Sequence, residues 1–154
     1  MNRNPVQGGR WVVTIGAVVI IASCLLQWWQ LGGGPGELPA KAGDAFARTG
    51  GWADGFGFLL FLAAVATLLL VALPYAAEAP IAIDRPISYL LLLGVAVVAY
   101  VLRTISMLQQ NLLLYIGQTP PIQPLRGPGF WAAAIGLLFF ARGVFELWEA
   151  RRRF

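Results

Sequence analysis

The sequence predicts an all-α integral membrane protein, a four-helix bundle whose four transmembrane helices leave both termini in the cytoplasm. Three observations carry that expectation: an apolar excess, its division into four runs of spanning length, and the placement of arginine and tryptophan at the ends of those runs. Of the 154 residues, 58% are hydrophobic and 12% are charged. A soluble domain carries about 25% charge and about 45–50% apolar residues. One small water-soluble core cannot bury the surplus, so lipid is the expected solvent for much of the chain.

A spanning helix needs about 20 mainly apolar residues. The runs that qualify are residues 11–31, 56–77, 87–108 (with apolar residues continuing toward Ile116) and 129–148. Breakers bound each of them: Gly32-Gly33-Gly34-Pro35-Gly36, then Pro74 and Pro80, Pro86 at a helix start, and Pro120-Pro121 through Pro124 to Pro128. The longest connection, residues 32–55, is glycine-rich and too short for a second domain, so residues 1–154 form a single transmembrane domain on this reading.

An even number of spans puts both termini on one side. That side collects Arg3, Arg10, Arg85 and Arg151-Arg152-Arg153, whereas the other holds Lys41, Arg48 and Arg126. The positive excess belongs in the cytoplasm. Tryptophans favour the membrane–water boundary, and the register puts Trp11 and Trp148 near the inner interface and Trp28, Trp29, Trp52 and Trp131 near the outer one. The expected location is the inner (cell) membrane of a bacterium, where four-pass chains of this architecture are common.

Ile21-Ala22-Ser23-Cys24 also fits a bacterial lipoprotein cleavage box. Such a box ends its apolar region at the cysteine, however, and here Leu25-Leu26 continue to Trp28-Trp29. The expectation is a transmembrane helix with a coincidental cysteine.

Catalytic chemistry finds little to work with. The chain has no histidine and one cysteine, which removes the commonest metal ligand and the usual general base near neutral pH. The seven acidic residues all avoid the middle of a span, unlike the carboxylates of proton- and cation-coupled machines. Lys41 is the sole lysine and has no suggestive neighbourhood for a Ser–Lys pair. The connections GGGPGELP and PPIQPLRGPG are not phosphate loops, lacking the GxxxxGK[ST] pattern. The arginines sit mostly at the ends of apolar runs and form no interleaved stripe, so nucleic acid is not an expected partner despite the pI of about 9.8. No enzyme activity, metal or cofactor is expected.

Two arginines do fall inside spans. Arg103 shares a helix face with Ala96, Ala99, Tyr100, Ser106, Met107 and Gln110, while Val98, Leu102, Ile105 and Leu112 lie opposite. Small and polar residues on one face are what close helix packing in lipid requires, so Arg103 reads either as buried and paired, pointing into the bundle or toward a partner, or as a snorkelling anchor of the outer interface. Asp54, at the outer start of the second span, is its expected counter-ion by depth. Arg142 forms one stripe with Glu146, Glu149 and Arg153, either a self-neutralising helix end or a docking surface. Ala132-Ala133-Ala134 with Gly136, and Ala63, Ala66 and Thr67, read as packing surfaces.

Together these features suggest a non-catalytic accessory or assembly subunit of a larger membrane complex, whose partners are the lipid bilayer and other membrane subunits. The alternative is an oligomeric, self-associating carrier or channel for a lipid, pigment or small anion, with Arg103 as its polar contact. A subunit packing pigment or quinone against its aromatics is a third class.

Overall fold

Three of the four helices open on a proline, whose fixed φ and missing N–H suit the first helical position. The computed structural model describes residues 5–26, 28, 30–31, 55–76, 86–114, 122–123 and 127–152. Within them α1 spans Pro5–Leu25, α2 Gly55–Ala76, α3 Pro86–Leu114 and α4 Pro128–Arg152. All four are long and apolar enough to cross a membrane, which indicates a multi-pass membrane protein. A two-residue antiparallel ribbon joins β1 (Gln30–Leu31) to β2 (Ile122–Gln123), pairing Gln30 with Gln123 and Leu31 with Ile122. It ties the chain leaving α1 to the chain entering α4, a link that the sequence reading of these connections did not include.

The helices close into a ring in which α1 packs on α2 and α4, and α3 packs on α2 and α4. The tightest seam joins α1 to α4. Gly9, Gly16 and Ser23 recur at seven-residue intervals on α1, and Gly129, Gly136, Gly143 and Ala150 recur likewise on α4; all seven are buried. Seven-residue recurrence keeps one face of each helix against its partner over several turns. A Cβ built on Gly16 would lie 2.6 Å from the Phe140 backbone nitrogen, and one on Gly143 would lie 2.6 Å from that of Val13. One on Gly136 would reach the Gly16 carbonyl oxygen at 3.0 Å. These obstacles are backbone, so the helices touch main chain to main chain and no rotamer change could make room. The contact is antiparallel: Gly9 meets Gly143 and Leu147, and Ile20 meets Gly136.

α1 ends six residues before the expected boundary at Leu31. The Ser23 carbonyl, among the last in the helix, accepts the Leu26 N–H at 3.2 Å and the Trp28 indole N–H at 2.9 Å. The indole therefore supplies a donor that a continuing backbone would have supplied, and Trp28 turns back onto the bundle. The buried Cys24 lies in this last helical turn.

A second substitution of the same kind occurs in α2. Pro74 lies inside the helix and has no N–H to give the carbonyl of Leu70, four residues earlier. The hydroxyl of Tyr89, on α3, donates to that Leu70 oxygen at 3.4 Å in a buried setting. A proline defect in one helix is thus answered by a side chain from its neighbour.

Gly16→Ala and Gly143→Ala should each destabilise the fold by about 1–3 kcal/mol through backbone displacement. Gly94→Ala, where the added carbon meets nothing within 4 Å, should instead stabilise by about 0.5–1 kcal/mol. Reversible unfolding in mixed micelles with rising dodecyl sulfate reads both signs, and a neutral Gly16→Ala would show that the α1–α4 contact is looser than described. Tyr89→Phe should cost about 1–3 kcal/mol by leaving the Leu70 carbonyl without its tyrosine donor. In a Pro74→Ala background, where residue 74 regains its N–H, that cost should shrink by about 1 kcal/mol; additive losses would dissociate the two.

Candidate functional site

Arg103 stands seventeen residues along α3 from Pro86, about 25 Å by helical rise. The exposed side of α3 there is apolar, with Val98, Leu102 and Ile105 all outward, so the opposite face turns inward. On that inner face Ala96, Ala99 and Met107 are buried, and Arg103 itself is 1% exposed. The small alanines let α3 approach its neighbours closely while the arginine reaches past them toward the end of α1.

What it reaches is Trp28. The guanidinium carbon lies 4.6 Å from the centroid of the indole, in a cation–π arrangement. Trp28 is fully buried, held by its N–H bond to the Ser23 carbonyl, and the Ser23 hydroxyl bonds in turn to the Ile20 carbonyl at 2.6 Å. Two more rings complete the cluster. Tyr100 lies 5.6 Å from Trp28 between centroids, Phe130 lies 6.0 Å from it edge-on, and Tyr100 stacks on Phe130 at 5.3 Å. The Tyr100 hydroxyl donates to the Phe130 carbonyl at 3.4 Å, beside the first turn of α4. The Phe130 N–H itself closes on the Gly127 carbonyl at 3.2 Å, which starts that turn.

This end of the bundle therefore joins three elements through one cation and three rings. α1 contributes its return segment, α3 contributes Tyr100 and Arg103, and α4 contributes Phe130. Water that would ordinarily solvate a guanidinium is replaced by a ring face, and such contacts reach about 2 kcal/mol or more when desolvated. Arg103 has further interactions beyond the indole, so its charge does not rest on Trp28 alone.

The sequence-derived candidates separate into distinct places. Tyr100 and Arg103 meet in the cluster, and Ser106 is half-buried one turn further on. Gln110 lies on α3 with its side chain outside the described residues, and Asp54, the expected counter-ion, also lies outside them. Arg142 and Glu146 form an exposed ion pair on α4, Nε to Oε1 at 3.1 Å, and Glu149 is exposed beyond them. They belong to the other end of α4, twelve residues past Phe130, and do not join Arg103.

The tryptophans divide as well. Trp11, Trp131 and Trp148 face outward with 69%, 58% and 36% exposure. Trp29 and Trp52 lie outside the described residues. Trp28 departs from the expectation: read as an interface anchor, it is instead the largest fully buried side chain described. The reason is the early end of α1, which converts an outward belt position into an inward cap. Phe130 was likewise not singled out. Its position beside a helix-opening proline was the available signal, since an aromatic two residues after Pro128 enters the bundle in the first turn of α4.

Among the described residues no three His, Cys, Asp or Glu side chains come together as a metal-binding group. Comparisons with family models, with curated proteins and with solved structures return no match.

Arg103→Leu and Trp28→Leu should each destabilise the bundle, and the double variant should lose less than the two single losses combined, with a coupling of about 1–2 kcal/mol. Arg103→Lys should retain part of that coupling, because an ammonium keeps the charge but not the planar stacking surface. Additivity to within about 0.5 kcal/mol would show the contact to be incidental.

Proposed function

We propose that this chain is inserted in the cell membrane with both termini cytoplasmic and serves as a non-catalytic accessory or assembly subunit of a larger membrane complex. One observation carries the reading: among the described residues, polar side chains inside the bundle turn to its own rings and carbonyls. Arg103 lies under an indole, Tyr100 is bonded to the Phe130 carbonyl, Tyr89 to the Leu70 carbonyl, and Thr67 to the Ala63 carbonyl of its own helix. A transport path or a reacting centre instead presents its polar groups to a cavity or to substrate.

The outer surface supports the same reading. α3 buries 22% of its spanning window, and Leu91, Val95, Val98 and Ile105 all face outward. A rigid helical frame with broad apolar faces suits a protein whose work is to pack between lipid and other chains. The oligomeric carrier or channel has no comparable support, since Arg103, the group that would contact an anion, is buried at 1% exposure within the bundle.

Reporter fusions at the C-terminus and at Gly34 should give cytoplasmic and external signals respectively; an external C-terminus would reverse the topology. Mild-detergent extraction followed by native mass spectrometry should find the chain in fixed stoichiometry with at least one different membrane protein, and Arg103→Leu should insert normally but reduce that recovery. Recovery of this chain with no other kind of subunit, under conditions that preserve known complexes of the same membrane, would overturn the accessory role.

A further inference from the structure

The face of α4 that points away from the bundle carries charge where α2 and α3 carry none outward. Trp131, Ile135, Leu138, Arg142, Phe145 and Glu149 follow one another at alternating spacings of four and three, and all are exposed. That is the spacing of a seam along which two parallel helices remain in contact. α2 has no charged residue, and the one charge on α3 is the buried Arg103.

Depth makes the Arg142–Glu146 pair informative. The close approach of Val13 to Gly143 sets Arg142 level with Thr14, about 6 Å deeper than Arg10 by helical rise. Along α4 itself, Arg142 lies about 16 Å from the exposed Trp131 and about 9 Å from the exposed Trp148. It therefore sits within the apolar belt that those rings bound, with its side chain 74% exposed. Its Nε–H is bonded to Glu146, and the two terminal NH₂ groups form a second planar edge able to meet another carboxylate.

We propose that a second copy of this chain covers this face, forming a parallel dimer about a two-fold axis normal to the membrane. The pair is self-complementary under that symmetry. Arg142 of one copy meets Glu146 of the partner subunit one turn away, and the reciprocal contact follows from the axis. Four charges then neutralise one another between two helices instead of facing lipid, and Leu138 and Ile135 pack across the apolar part of the seam. A two-fold axis along the normal keeps both copies in the same topology. This inference requires membrane insertion but not the accessory role, since a dimer can enter a complex with other chains or act alone.

The test is disulfide trapping of the full-length chain in native membranes. In a Cys24→Ala background, Leu138→Cys should cross-link into dimers on oxidation, far faster than Leu91→Cys on the outward face of α3. Arg142→Glu replaces the two Arg142–Glu146 pairs with four carboxylates, beside Glu149 of each copy, and Glu146→Arg replaces them with four guanidinium groups, so each alone should lower the cross-linked fraction by more than about tenfold. Co-expressing the two variants should restore a mixed dimer, distinguishable by a tag on one of them, and that rescue also shows both chains to be folded. A parallel set retaining Cys24 checks folding through protection of its buried thiol from maleimide; should either reversal fail that check, the neutral Arg142→Gln/Glu146→Gln double variant replaces it and should also lose cross-linking. Leu138→Cys cross-linking no faster than the Leu91→Cys control, wild-type cross-linking in folded charge variants, or no recovery on mixing would overturn the dimer. Any of these would leave the accessory role standing, whereas a dimer isolated with no other chain would remove that role and leave this inference intact.

Discussion

The main-chain contact between α1 and α4 is the constraint on which the other features depend. At Gly16 and Gly143 there is no space for a single added carbon, so the relative position of the two helices is set by backbone atoms rather than by adjustable side chains. Apolar side chains gain little by leaving lipid for a protein interior, and close packing and polar contacts have to hold membrane helices together. Once Gly16 lies against Phe140, the end of α1 and the start of α4 must fall at the same level. Trp28 and Phe130 are then neighbours, and a residue of α3 at that level meets both. The position of Arg103 is in that sense a consequence of glycines on two other helices.

Backbone accounting explains much of the remaining polar structure. A main-chain carbonyl that loses its helical donor is costly away from water, and at two such sites an aromatic side chain supplies a hydrogen bond. The Trp28 indole serves the Ser23 carbonyl where α1 stops, and the Tyr89 hydroxyl serves the Leu70 carbonyl where Pro74 offers no N–H. Both residues combine an apolar body that can be buried with one polar atom at the edge. A leucine would fill either space but remove the side-chain hydrogen bond to the carbonyl. A serine would answer it only if the backbones came much closer.

The four spans were legible because length and hydropathy suffice for them, and residues 55–76 and 128–152 fall within a few positions of the runs read from sequence. The buried face of α3 was legible in Ala96, Ala99 and Met107 at helical spacing, but an arginine on that face could equally snorkel to the interface, and its burial comes from the tertiary fold. Trp28 was not. A tryptophan at the end of an apolar run has the same sequence signature whether it faces headgroups or folds back, and what decides is a hydrogen bond to a carbonyl five residues earlier. The seven-residue series Gly9, Gly16 and Ser23 was present in the sequence but carries meaning only when set beside Gly129, Gly136 and Gly143. Neither series indicates by itself which helix it will meet. Pairing the first span with the last is a property of the tertiary fold.

The two in-span arginines illustrate how one residue type meets opposite surroundings. Arg103 has no acidic residue on its own helix, and the face of the Trp28 indole lies against its guanidinium. Arg142 has Glu146 one turn away on the same helix and faces outward. Removing water from a guanidinium is tolerated only where something else polarises toward it, and a fixed ring within the bundle can do that inside a single chain. An outward ion pair one turn long cannot surround itself in the same way, because a helix covers at most one side of its own surface side chains. Arg103 is therefore buried inside one bundle, whereas the outward pair at Arg142 is enclosed only when another helix lies against it.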